Sequence, residues 1–149
     1  MLSIKIKESF KTPSFTVTDV EGASYNFTLN SNGYYESTNK KVGNSAALCK
    51  LDITDLEDTS KIIFDCINSG EANYDFGMIS KINTTLSTSN NEDSASNLFV
   101  NFKGQSSTNV VTKTYPISAV AACFFTLKFI KDSSGNQGND SLQFKVRFE

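Results

Sequence analysis

No histidine occurs anywhere in the 149 residues. Its absence removes the commonest general base, the commonest metal ligand and the usual sensor of near-neutral pH. Tryptophan is also missing, and proline occurs only twice. A sugar- or partner-binding surface therefore has only tyrosine and phenylalanine to serve as aromatic platforms. Cysteine is scarce and odd in number: Cys49, Cys66 and Cys123 each sit inside an apolar run. That pattern favours reduced, core-packed thiols over a disulfide framework, with a Cys49–Cys66 pair left open should their strands be neighbours. Reduced thiols suit folding in a reducing cytoplasm. Charge of one sign is lacking too, with 14 basic residues against 16 acidic ones and no basic run. Binding to nucleic acid through phosphate neutralisation is accordingly not expected. No apolar run is long enough to span a bilayer, so membrane insertion is not expected. The opening Met1-Leu-Ser-Ile-Lys-Ile-Lys-Glu8 has neither the apolar centre nor the cleavage site of a secretory signal.

What is present is alternation. Leu142, Phe144, Val146 and Phe148 share one face of the last segment, and Ser141, Gln143, Lys145 and Arg147 share the other. A strand with this pattern covers a core on one side and meets water on the other. Twelve Phe and five Tyr suit such half-buried pleated surfaces. Similar signals predict strands at 2–7, 14–18, 24–30, 46–53, 61–68, 76–82, 97–103, around 110–115, at 123–131 and at 140–148. A short edge strand is expected near Tyr34, and one helical turn at 83–87 that docks Leu86. The polar run Ser87–Ser96 reads as the most flexible loop. Segments 61–68 and 123–131 are apolar on both faces and belong at sheet centres. The chain is thus expected to be a single all-β domain, an antiparallel two-sheet β-sandwich of about nine or ten strands, with residues 1–11 as a possible N-terminal arm or edge strand.

Two short patterns carry a resemblance. One is an Ile-Ile-Phe strand followed by Ser69-Gly-Glu-Ala-Asn-Tyr-Asp75. The other is a long apolar strand ending in Lys131-Asp-Ser-Ser, then Gly138-Asn-Asp140 and a final alternating strand. Between them lie Phe102-Lys-Gly104 and Tyr115-Pro-Ile117. Over about Lys61 to Phe148 the chain resembles jelly-roll modules of gut bacterial surface proteins and of bacteriophages that infect gut bacteria. The resemblance implies a jelly-roll sandwich with a role in surface attachment or virion architecture, and no enzyme activity. Bacterial surface modules commonly place an aromatic and acidic pair after the final Asp, where this chain has Ser141-Leu-Gln-Phe144.

Several residues are candidates for a site. Glu71, Asp75, Asp132 and Asp140 lie in the two motif loops, and converging oxygen-rich loops suit Ca²⁺. The competing reading makes them structural: Asp75 and Asp132 accept backbone N–H bonds and pair with Lys131. Tyr34, Tyr35 and Tyr74 are the tyrosines offered as ligand or partner contacts, and adjacency on a strand turns Tyr34 and Tyr35 to opposite faces. No catalytic residue and no cofactor other than calcium is proposed, because no His, no paired acids on facing strands and no Ser-x-x-Lys in a suitable context are visible. The leading expectation is a bacteriophage virion structural or adhesion protein: a head decoration, head fibre or tail component assembled in the host cytoplasm. It would contact other virion subunits, as a homo-oligomer, or a host-surface glycan, through residues 1–11 and the loops near 34–41 and 87–96. The alternative is a carbohydrate-binding or adhesin module of a secreted gut bacterial protein.

Overall fold

The computed structural model describes residues 10–104, 108–133 and 140–149, and the strand expected at 2–7 lies outside them. Ten strands follow one another: β1 (Ser14–Asp19), β2 (Phe27–Leu29), β3 (Tyr35–Ser37), β4 (Ser45–Thr54), β5 (Lys61–Asn68), β6 (Phe76–Ser80), β7 (Leu98–Lys103), β8 (Val111–Pro116), β9 (Cys123–Lys131) and β10 (Leu142–Phe148). They form two antiparallel five-stranded sheets, ordered β1-β4-β9-β6-β7 and β2-β3-β10-β5-β8. Only the β2–β3 and β6–β7 connections stay within a sheet; every other connection crosses to the opposite one. The result is the expected β-sandwich of jelly-roll type.

Period-two burial explains how the sheets face each other. Ala47, Cys49, Leu51 and Ile53 of β4 and Cys123, Phe125, Leu127 and Phe129 of β9 point inward from the first sheet. Ile62, Phe64 and Cys66 of β5 and Leu142 and Phe144 of β10 meet them from the second. Aromatic rings lock the layers edge to face: Phe64 and Phe125 lie 5.2 Å apart, and Phe27 and Phe144 5.7 Å. Burying each such ring contributes about 2–3 kcal/mol. As their two-sided apolarity required, β5 sits between β10 and β8, and β9 between β4 and β6.

Three local expectations change. The strand near Tyr34 is not an edge, because β3 is hydrogen-bonded on both sides, to β2 and to β10. Residues 83–87 form no helical turn, although Leu86 does dock, being 2% exposed. Cys49 and Cys66 lie on β4 and β5 in opposite sheets, and all three cysteines are free and buried. Burial pushes the Cys66 thiol up to about 12 and the Cys123 thiol to about 11, and raises Cys49 further.

Among the described residues, no helix is long and apolar enough to cross a membrane.

Candidate functional site

The outer face of the first sheet carries an apolar patch that open solvent would not favour. Leu48, Met78 and Ile130 point away from the sandwich core and join Ala46, Leu86 and Leu98 in a second cluster. The connection between β6 and β7, residues 81–97, lies over this face. Leu86 supplies its apolar contact, and Lys128 supplies its anchor. Lys128 stands on β9 in the outward register opposite Leu48 and Met78, yet its side chain has no exposed surface. Its Nζ donates to Asp93 Oδ1 at 2.6 Å, to the Asn91 carbonyl at 2.9 Å and to Ser87 Oγ at 3.1 Å. Asp93 also accepts the Ser87 N–H at 2.7 Å. The segment expected to be the most flexible is therefore pinned by a buried ion pair. Its composition did not show this, because the pinning cation lies 35 residues away in sequence.

Beside this covered patch the outer face opens into two hollows that share Asn90. One, of about 310 Å³, reaches from Ser24 and Thr88 to Asn44 and Ala46. The other, of about 220 Å³, is lined by Tyr74, Phe76, Asn91, Glu92, Ile130 and Asp132. Ala46 pairs with Ile130 and Ile130 with Phe76, so the two floors form one row across β4, β9 and β6. Neighbouring strands are about 4.8 Å apart, so the row spans roughly 10 Å. Amides and carboxylates from 90–92 and Asp132 stand along its rim. At its end Tyr74 is 58% exposed, the most open tyrosine ring in the described chain.

The first motif explains why Tyr74 points outward. Asp75, its neighbour, is fully buried. Asp75 Oδ2 accepts the Glu71 N–H at 2.8 Å and Oδ1 the Asp132 N–H at 3.1 Å. Two glycines permit this tight loop. A Cβ on Gly70 would lie 2.7 Å from Asp75 Cβ, and one on Gly104 would lie 2.5 Å from the Gly70 carbonyl oxygen. Asn73 takes the left-handed backbone, with φ of 68°. With Asp75 drawn inward, the residue before it is turned to solvent.

The second motif meets the first at the same end of the sandwich. Lys131, at the end of β9, is fully buried with Nζ 2.6 Å from Asp140 Oδ2 and 3.3 Å from Asp75 Oδ2. This convergence does not need β5 and β9 to be neighbours, and they are not: they belong to different sheets. Of the four calcium candidates, the structure brings Glu71, Asp75 and Asp132 together, with ligand oxygens within 4.8 Å of one another. Asp140 stands apart from that group, drawn to Lys131. An ammonium already occupies the Asp75 carboxylate, and two backbone N–H groups satisfy it, so its geometry is that of the structural reading.

The other tyrosine candidates separate. Tyr35 faces inward and is half-buried, its ring stacked on Phe144 at 5.5 Å and edge-on to Phe15 at 6.2 Å. Tyr34 lies on the outer side of the second sheet with Lys145 Nζ 4.4 Å above its ring. A third hollow on that side, of about 280 Å³, holds Asn30, Glu36, Lys40 and Gln143. Several of its polar groups already have partners: Asn30 donates to Gln143 at 2.7 Å, Lys40 pairs with Glu36 at 3.1 Å, and the neighbouring Ser141 Oγ donates to Glu36 at 2.6 Å. Burial raises the Glu36 carboxyl, but bonds from Ser141 and Lys40 outweigh it and hold the group below its usual range. The sequence reading named Tyr74 and, through the loop near 87–96, the stretch that contains Asn90, Asn91 and Glu92. It could not show the Lys128 anchor, or the Asn101 side-chain bond to Glu92 at 2.9 Å, that hold this stretch in place.

No protein-family model matches the chain, and no curated protein matches it. Among solved structures it is similar to a low-affinity xylan-binding module from the gut symbiont Roseburia intestinalis, at 13% identity and a TM-score of 0.41, over 93% of this chain and 95% of that one.

Proposed function

We propose that this chain is a non-catalytic carbohydrate-binding module whose contact surface is the groove on the outer face of the first sheet. The observation that carries this reading is Tyr74, an open aromatic ring at the end of a row walled by Asn90, Asn91, Glu92 and Asp132. A pyranose ring has an apolar C–H face and a hydroxyl rim. The negative face of a tyrosine ring complements the first, and amide and carboxylate groups complement the second. Glu92 and Asp132 give the groove acidic character, so neutral glycans are favoured over anionic ones. One ring and a few rim hydrogen bonds supply on the order of 4 kcal/mol, a Kd near 1 mM. The shallow, open groove fits binding rather than turnover, and the chain has no histidine to serve as a base.

The test is retention of the purified chain in gels containing neutral polysaccharides (xylan, mixed-linkage glucan, mannan) and an anionic one (polygalacturonate), with light scattering alongside. Retardation of a monomer by a neutral glycan is the expected result. The virion reading rests on sequence features: the motif resemblance, the cysteines expected to stay reduced and the lack of a visible catalytic set. A stable oligomer that no glycan retards would favour it and overturn the present proposal.

A further inference from the structure

Two lysines of β9 are buried beside carboxylates, but their surroundings differ in kind. Lys128 has three acceptors of three types: one carboxylate, one carbonyl and one hydroxyl. That set gives each of the three ammonium donors an acceptor of its own. Lys131 has two acceptors among the described residues, and both are carboxylates, Asp140 at 2.6 Å and Asp75 at 3.3 Å. The three side chains are 0%, 3% and 1% exposed respectively. The Asp75 carboxylate is held in place by the Glu71 and Asp132 N–H groups. The buried Phe129 ring lies beside the same loop, 3.0 Å from where a Gly70 Cβ would lie.

We propose that Lys131 and Asp140 condense spontaneously into an intramolecular isopeptide bond, with Asp75 as the proton carrier. An amine and a carboxyl group held in contact react as one molecule, which replaces a bimolecular encounter by a fixed geometry. Lys131 Nζ, once it has given a proton to Asp75, attacks Cγ of Asp140. The new bond is Nζ–Cγ, and the bond that breaks is Cγ–O of Asp140. Two protons pass from the nitrogen to the departing oxygen by way of Asp75, the oxygen leaves as water, and Asp75 ends as it began. No oxidant, reductant or other reactant is required. Burial supplies the drive, because the reaction replaces two desolvated charges with one neutral amide. Exclusion of water opposes the reverse hydrolysis. Lys131 ends β9 and Asp140 stands two residues before β10, so the bond would clasp the connection between the two sheets at the end that presents Tyr74.

Intact mass of the purified, folded full chain tests this directly. The expected mass is that of the sequence less one water, with a protease digest yielding a branched peptide that joins Lys131 to Asp140 and resists trypsin at Lys131. Lys131→Arg, which keeps the charge, restores the full mass, and so does Asp140→Ala. Asp75→Asn leaves the folded chain largely uncondensed, while Lys128→Arg leaves the deficit unchanged. Far-ultraviolet dichroism of each variant verifies that it is folded. Full sequence mass in the folded wild-type chain after prolonged incubation overturns the proposal. So does a water loss at a site where hydroxylamine cleaves the chain after Asp140, the mark of a cyclic imide.

Discussion

Asp93→Ala probes how the groove is built. The substitution removes the carboxylate that Lys128 Nζ meets at 2.6 Å and leaves that cation with Ser87 Oγ and the Asn91 carbonyl. Removing one partner of a buried ion pair costs about 3–5 kcal/mol when the remaining charge stays buried. Here the protein has a second route: residues 81–97 can lift and let water reach Lys128. That route exposes Leu86, about 2–3 kcal/mol of burial, and the Leu86 N–H bond to Thr126. The cheaper route sets the cost, so the expected loss is about 3 kcal/mol in urea unfolding. It should be accompanied by new protease cleavage within 87–93, because the loop opens before the sandwich does. The double variant Asp93→Leu with Lys128→Met should recover most of the stability, since it removes both charges and keeps volume. A loss below about 1 kcal/mol with no new cleavage would refute the view that this pair pins the loop.

Other outcomes follow from the same contacts. Phe144→Ala should cost about 3–5 kcal/mol, measured by denaturant midpoint, because its ring is fully buried against Phe27 and Tyr35. Gly104→Ala should destabilise the loop that presents Tyr74, as its Cβ would meet the Gly70 and Glu71 carbonyl oxygens at 2.5 and 2.6 Å. A lowered thermal midpoint checks that. The thiols should resist a disulfide reagent until the chain unfolds. Cys66 and Cys123, pushed up to about 12 and about 11 from 9.0, hold their protons in the folded chain after the unfolded chain has lost them. Their contribution is therefore complete below pH 9 and declines from there through pH 11–12, by at most about 1.4 kcal/mol per pH unit for each thiol. Cys123→Ala should flatten that decline in an alkaline stability profile.

The sandwich was legible because its strands alternate cleanly and its turns are rich in Asn, Asp, Ser and Gly. The two central strands declared themselves by apolarity on both faces. β3 was misjudged as an edge because its Tyr34-Tyr-Glu-Ser37 run gives no sign of which strands flank it. That depends on the crossover connections, which bring β10 beside it from the far end of the chain. The outer apolar patch was invisible for a related reason: Leu48, Met78, Lys128 and Ile130 fall on one face only after three strands are in register. Tyr74 was readable as a candidate, but its distinction from Tyr35 was not. The burial of Asp75 beside one and the stacking of Phe144 on the other set their different exposure.

The most direct measurement is the affinity of the wild-type chain and of Tyr74→Ala for a retained neutral polysaccharide, by affinity electrophoresis under identical conditions. Tyr74 is exposed and buries no core surface, so the variant should unfold within about 0.5 kcal/mol of wild type. Binding should fall at least about tenfold, the 1.4 kcal/mol expected from losing a stacking face. Undiminished retention of Tyr74→Ala would contradict the account, and so would a wild-type chain that no neutral glycan retards.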